Sequence, residues 1–285
     1  MLDPHFDVRP IQTSDSSLVL DFLRTAQFTH RHLDWRLPVD WLGEQPFLGC
    51  WYHDDLTALL VCPITEGKEV WIRCYSGQSF HSMQIAWDKL LTGAVAQLRK
   101  KDVGKIYTIA LSDWYRDLLV QTGFQEESKI VILEKTNWST RPLHIQPPEI
   151  QISEMDSQHL DAVYELDRKC FQPLWQLTRE DISIAYKHAI NCSVAFDPGN
   201  NLVAYQISNL IGETAHLARI AVDPTYQRKT IANMLLSNLL KRFAQMGITK
   251  VTVNTQSDNV ASLRLYQQNG FLLTGENYPI YALNT

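Results

Sequence analysis

Residues 220–232 carry the densest chemistry in the chain. Ile220, Ala221 and Val222 end an apolar run, Asp223 and Pro224 make a turn, and Gln227, Arg228, Lys229 and Thr230 form a short polar loop. Ile231 and Ala232 then open a new pattern that places Ile231, Leu235, Leu239, Phe243 and Met246 on one helical face. Strand, loop and helix follow one another with almost no slack. In that geometry the loop amides stand at the helix N-terminus, where unpaired N–H groups and partial positive charge suit a phosphate or diphosphate. Arg228 and Lys229 add full positive charge beside them. Taken alone, the stretch says only that an anion fits there.

The elements that must position this loop follow from periodicity and turn chemistry. Residues 7–10 read as a strand, and a helix starts near Ser14 or Asp15 with Leu18, Phe22 and Leu23 inward. Residues 35–51 are aromatic and irregular, with three tryptophans. Strands are expected over 57–62 and 69–75, a helix over 83–101, a strand over 105–111, a helix from Ser112 to Gly123, and a final strand from Phe124 through 130–133. A Pro-rich segment between 135 and 149 reads as an extended linker. The programme then restarts with a strand at 150–153, helices over 156–170 and 178–188, and strands over 192–196, 201–209 and 215–222. The loop and its helix follow, then a strand over 250–255, a helix from Asn259, and terminal strands near Phe271 and over 279–283.

Both halves end their last helix the same way, with Gln121-Thr122-Gly123-Phe124 in one and Gln268-Asn269-Gly270-Phe271 in the other. We read an internal repeat of one α/β (α+β) domain: a first domain over 1–137, a linker over 138–148 and a second domain over 149–285. The plainer alternative is that glycine commonly follows a helix and the match is accidental.

The chain has 285 residues, enough for two domains, with 45% hydrophobic and 20% charged residues. A net charge of -5 and a pI near 6.0 leave no basic excess for a general nucleic-acid binder. The five cysteines are scattered and lack a C-x-x-C pair, which points to free thiols in a reducing cytoplasm and to no metal site. His30 and His32 read as packing or surface residues rather than ligands. Met1 to Arg9 has neither the charge nor the apolar run of a signal peptide or membrane anchor.

Residues 227–232, Gln-Arg-Lys-Thr-Ile-Ala, match the diphosphate loop Q/R-x-x-G-x-G/A, and Asn259, Ser262, Leu265, Tyr266, Gly270 and Phe271 match N-x-x-A/S-x-x-L-Y-x-x-x-G-F downstream. On these two motifs the second half resembles the GNAT superfamily of acyl-CoA-dependent N-acyltransferases. Cys170-Phe171, Trp175 and Asn277-Tyr278-Pro279 look most like the branch that acetylates a ribosomal protein on an N-terminal alanine. The first half resembles a worn copy, because 76–82 lacks the motif and Leu119 stands where Tyr266 does. The resemblance implies two tandem GNAT folds, each a mixed, mostly antiparallel sheet flanked by helices. Thr230 departs from the family's glycine and puts a Cβ where backbone should approach the diphosphate.

The resemblance also implies roles. Ile220, Ala221 and Val222 would hold the pantetheine arm and thioester, and Gln227, Arg228, Lys229, Thr230, Ile231 and Ala232 the diphosphate of acetyl-CoA or another acyl-CoA. Asn259 and Ser262 would add coenzyme contacts, and Tyr266 would protonate the departing thiolate. Asn254 stands where the branch often has a glutamate base, so Glu213 is the expected replacement, with His216 and Asp258 as further candidates. Phe171, Trp175, Arg219 and Tyr278 are the expected acceptor contacts. The expected activity is acetyl transfer to a primary amine, with a peptide or protein N-terminus preferred, by a monomer or homodimer that binds neither nucleic acid nor membrane. A non-catalytic acyl-CoA-binding or structural protein, or a small-amine or metabolite acyltransferase, are the alternatives.

Overall fold

The computed structural model describes residues 6–65, 67–136 and 149–285. The expected linker at 138–148 lies outside them. The chain divides into two compact units, Met1–Ser128 with Tyr278–Thr285, and Lys129–Asn277.

In the first unit β1 (Phe6–Pro10), α1 (Ser16–Thr25), β2 (Phe28–Arg31), β3 (Phe47–Tyr52), β4 (Asp55–Val61), β5 (Glu69–Trp71), β6 (Cys74–Gly77), α2 (Phe80–Arg99), β7 (Lys105–Ile109) and α3 (Asp113–Gln121) follow in order. One antiparallel sheet runs β1-β3-β4-β6-β2. β5 pairs parallel with β7, and β7 pairs antiparallel with residues 280–284. Helix α2 buries Met83, Ala86, Trp87, Leu90, Leu91, Ala94 and Leu98, the 3.6-residue spacing expected of one inward face.

Three features of this unit escaped the sequence reading. β3 falls inside the stretch read as irregular because Phe47 to Trp51 are all buried, with Leu48 and Cys50 in one core cluster and Phe47 and Trp51 in another. A strand buried on both faces shows no alternation. β2 is short and half polar, and its partner lies far along the chain, with Thr29 Oγ1 bonded to Ser76 Oγ at 2.7 Å. The strand expected over 69–75 is broken into β5 and β6.

The strand β8 (Gln125–Lys135) begins in the first unit and ends in the second. There follow β9 (Gln151–Glu154), α4 (Leu160–Cys170), α5 (Arg179–His188), β10 (Asn191–Phe196), β11 (Leu202–Ile211), β12 (Thr214–Val222), α6 (Ile231–Gln245), β13 (Val251–Gln256), α7 (Val260–Gln268) and β14 (Leu272–Asn284). The second unit's strands run β8-β13-β12-β11-β10-β9. Every pair is antiparallel except β12 with β13. This is the mixed, mostly antiparallel sheet with flanking helices that the sequence implied. From α6, Leu236, Leu239, Leu240 and Phe243 pack on Ala215, Leu217, Val251 and Val253, while Ile231 and Leu235 pack on Ala195, Val203 and Val222. Each such side chain contributes about 1.5–3 kcal/mol by leaving water, and together they fix the loop before α6 against the end of β12.

The two Gly-Phe pairs adopt one geometry. Gly123 and Gly270 have φ of 87° and 83°, a conformation glycine takes without a Cβ clash. Phe124 N donates to Leu119 O and Phe271 N to Tyr266 O, each at 3.0 Å, and both rings are buried.

Candidate active site

The site begins where two strands part. β12 and β13 pair only over Ala215–Leu217 and Val251–Val253, yet β12 runs on to Val222 and β13 to Gln256. The register of β12 on β11 shifts at the same place: Ile207 opposes Arg219 and Ser208 opposes Leu217, so Ala218 is an extra, bulged residue. A bulge bends the strand that carries it and locally raises its twist. Past the bulge, β12 has a partner on one side only.

Hydrogen-bond parity then decides which atoms face the opening. Asp223 N donates to Val203 O, so residues 219, 221 and 223 turn their backbone groups toward β11, and Ile220 and Val222 turn theirs toward the open edge. The Val222 carbonyl there accepts from Cys170 Sγ at 3.3 Å and from Gln227 Nε2 at 3.2 Å. Of the expected trio, Ile220 therefore turns its backbone and Val222 its N–H to the open edge, whereas Ala221 commits its N–H and C=O to β11. In the first unit the edge of β6 away from β4 is taken by β2, with Phe28, Thr29, His30 and Arg31 opposite Gly77, Ser76, Tyr75 and Cys74.

Beyond Val222 the loop leads into α6 through two residues in the left-handed region, Arg228 with φ 61° and Thr230 with φ 65°. Neither is glycine, and Thr230 is the residue the sequence marked as out of place. Its side chain does not cap the helix; Oγ1 donates instead to Lys229 O at 2.6 Å. Helix α6 thus begins without a side-chain cap or an acidic residue in its first turn, so its leading N–H groups face outward. Ile231 adds its N–H there while its side chain lies in the core, and Ala232 is half-buried beside it. Lys229 Nζ lies 4.8 Å from the Tyr226 ring centroid. In the first unit Ser79 caps α2 through Ser82 N at 3.3 Å, and Ser82 Oγ accepts from Ser79 N at 3.0 Å. That helix start therefore carries the reciprocal side-chain cap that α6 lacks.

Tyr266 lies on α7 with its ring buried among Leu217, Val253, Leu236 and Phe271, against the last paired residues before the strands part. Burial pushes its phenol well above the ordinary tyrosine value. Among the described residues the hydroxyl has no hydrogen-bond partner. Asn259 accepts from Ser262 N at 3.1 Å and so caps α7, leaving its amide N–H groups free to act elsewhere.

On the opposite sheet face Arg219 is not free. Its Nε and Nη2 bond Asp167 Oδ2 at 2.8 and 2.7 Å, Nη2 also reaches Trp175 O at 2.7 Å, and the guanidinium stacks 3.5 Å from the Phe171 ring centroid. Tyr205 donates to the same carboxylate oxygen, and Leu177 N donates to Oδ1 at 2.9 Å. Arg219 thereby locks the turn at 171–177, with Phe171 and Trp175 half-buried on it.

The expected proton acceptors are scattered. Glu213 sits with Gly212 in the two-residue turn of the β11–β12 hairpin, exposed, at the end of β12 away from the opening. Asp258 is exposed in the connection before α7. Tyr278 is half-buried and falls in the first unit. His216 alone is adjacent to the vertex, one residue before the last β12–β13 pair. Among the described residues no group of histidine, cysteine and carboxylate side chains is placed to hold a metal, and no helix is long and apolar enough to cross a membrane.

A mixed sheet with a splayed parallel pair, leading into a basic, uncapped helix N-terminus, defines a class. Residues 160–271 match the acetyltransferase (GNAT) family, and the second half of the chain is similar to N-acyltransferases of that family. Over 120 residues the chain is 24% identical to the ribosomal protein bS18-alanine N-acetyltransferase of Escherichia coli K12, covering 42% of this chain and 79% of that one. A mycothiol acetyltransferase of Brachybacterium faecium is 28% identical over 185 residues, 58% of this chain and 54% of that one. A tandem GNAT protein from the clavulanic acid biosynthesis pathway shares the fold, with a TM-score of 0.64 at 12% identity over 98% of both chains.

Proposed function

We propose that the chain transfers an acetyl group from acetyl-CoA to a primary amine, preferably a peptide or protein N-terminus, by direct attack of the amine on the thioester. The observation that carries this reading is the open β12 edge running into the uncapped N-terminus of α6. The acyl donor supplies an activated carbonyl, and the residues present fit it. Ile220 and Val222 offer backbone groups to an extended amide-containing arm, as a neighbouring strand would. The N–H groups of Ile231 and Ala232, with Arg228 and Lys229, suit its diphosphate. Gln227 holds the loop to Val222, and Asn259 with Ser262 sets the start of α7. Tyr266 donates the proton that the departing thiolate needs.

Among the described residues only the second unit has these features, so the first is read as a degenerate copy and one active site serves the chain. The preference for a peptide acceptor rests on the likeness to the bS18-alanine enzyme and on the locked aromatic turn at 171–177. Thiol release from acetyl-CoA, measured with a panel of peptides and small amines, tests the reading. Absence of turnover with every amine, despite coenzyme binding by calorimetry, would overturn it. That outcome would favour a non-catalytic acyl-CoA-binding protein, the reading to which strained Thr230 and uncharged Asn254 otherwise point. Preference for small amines would select a metabolite acyltransferase.

A further inference from the structure

The transfer requires a neutral amine, and none of the exposed carboxylates lies at the vertex. On the sheet face toward α4, register aligns a row of side chains across neighbouring strands. Asn209 on β11 opposes His216 on β12, and His216 opposes Thr252 on β13. Tyr205, whose hydroxyl reaches Asp167 of α4, fixes the face: residues 205, 207 and 209 point the same way, and His216 shares the face of its partner Asn209. Leu217 and Val253, one residue on, point to the opposite face, where Tyr266 packs. Asn254 follows Val253 and is the first residue of β13 past the last pair. His216 and Asn254 therefore flank the point of parting from the side opposite the phenol.

The hydrogen bonds assign the imidazole a tautomer. Thr252 Oγ1 lies 3.4 Å from Ala215 O, a group that can only accept, so the hydroxyl donates there. At 2.9 Å from His216 Nδ1 the same oxygen is then placed to accept, the arrangement with the imidazole proton on Nδ1 and the lone pair on Nε2. Asn254 hydrogen-bonds the ring in the sense that favours its protonated form. Asn209 contributes a buried carboxamide oxygen that has no partner among the described residues.

We infer that His216 is the base of the reaction proposed above, taking a proton from the incoming ammonium at Nε2, with Thr252 fixing its tautomer and the carboxamide oxygens of Asn209 and Asn254 receiving the remaining N–H groups. His216 Nε2 accepts one proton from R–NH3+, and the freed lone pair forms the N–C bond at the thioester carbonyl. The C–S bond breaks, the sulfur takes the Tyr266 phenolic proton, and the phenolate recovers a proton from the new amide nitrogen. The imidazolium then loses its proton to water. The sum is ammonium plus thioester giving amide, thiol and one proton. An acceptor that brings a compact ammonium group to two carboxamide oxygens fits this site.

The charged groups around this face are already paired: Arg219 with Asp167, and Glu134 with Lys250 at 2.6 Å, while Asp181 of α5 accepts from Thr178. Burial holds His216 below the ordinary histidine value. The neutral base is therefore the form present at pH 7, and the acid limb of activity lies below the ordinary histidine range.

The test uses the full chain, acetyl-CoA and an amine that the wild type acetylates. His216→Gln should lower kcat/KM for the amine by about 10²-fold or more, leave coenzyme affinity within about 3-fold, and abolish the acid limb of the pH profile. Thr252→Val, which keeps shape but removes the acceptor at Nδ1, should lower kcat more than it raises KM and displace that limb. Activity of His216→Gln within about 3-fold of wild type, or an unchanged acid limb, overturns the assignment. A wild type that binds coenzyme but acetylates no amine overturns the underlying function as well, so the two failures are distinct.

Discussion

The guanidinium of Arg219 holds the fully buried carboxylate of Asp167 through two hydrogen bonds, at 2.8 and 2.7 Å. The pair ties the bulged strand β12 to helix α4 and, through Trp175 O, to the turn at 171–177. Removing Arg219 leaves the Asp167 charge in the interior without its ionic partner, held only by the Tyr205 hydroxyl and Leu177 N. Arg219→Leu should therefore cost about 3–5 kcal/mol, read as a lower denaturant midpoint. Replacing both residues by apolar ones should cost less than the single change. If the variant remains folded, loosening of the turn should raise KM for the amine more than for acetyl-CoA.

Arg228 and Thr230 both hold a left-handed backbone, and Thr230, being β-branched, suits it less. A left-handed conformation costs a residue with a Cβ roughly 1–2 kcal/mol, which glycine avoids. Glycine in turn gives up some unfolded-state entropy. Thr230→Gly should thus raise stability by up to about 1 kcal/mol and tighten acetyl-CoA binding, because the helix N–H groups become easier to approach. Weaker binding in calorimetry would show that the threonine is itself a ligand contact.

Tyr266→Phe separates chemistry from packing. The hydroxyl has no protein partner among the described residues, so its loss leaves no buried group unsatisfied and stability should shift by less than about 1 kcal/mol. Coenzyme affinity should hold, while kcat falls by about 10²-fold. Full activity in the variant would remove Tyr266 from the reaction.

Charge reversal at Arg228 and Lys229 should weaken acetyl-CoA binding by at least about 10-fold and flatten its dependence on salt. Titration of the wild type should give one coenzyme per chain. In the first unit β2 occupies the strand edge that β12 leaves open, and Ser79 caps the helix that corresponds to α6. A stoichiometry of two would contradict that reading.

His30 predicts the response of stability to acid. It is buried against Tyr115, with ring centroids 4.0 Å apart, and burial lowers its pKa to about 3. His32, half-buried beside Arg73, is lowered as well. Between about 3 and 6.5 the unfolded chain binds a proton that the folded His30 refuses, so stability rises with pH across that window and is lost as pH falls through it. At pH 5 the loss from His30 is about 2 kcal/mol. Denaturation at pH 7 and pH 5 measures this, and His30→Gln should shrink the difference.

The sequence by itself determined the local pieces. The anion-suited loop, the inward face of α6, the Gly-Phe helix ends and the motif from Asn259 through Tyr266 rest on residue type and short spacing, which act within a turn or two of the chain. Tertiary structure decided what depends on distant partners. β2 and β3 are strands only because β6 and β4 lie beside them. Residues 130–135 pair with β13 and residues 280–284 with β7, pairings that no local pattern encodes. The bulge at Ala218 depends on how β11 meets β12, and it is the bulge that turns Ile220 and Val222 to the open edge, while the hairpin turn keeps Glu213 at the far end. The same long-range register set Arg219 on Asp167 and lined up Asn209, His216 and Thr252. Hydrogen-bond register is a relation between strands, so a one-dimensional pattern can name its members but not align them.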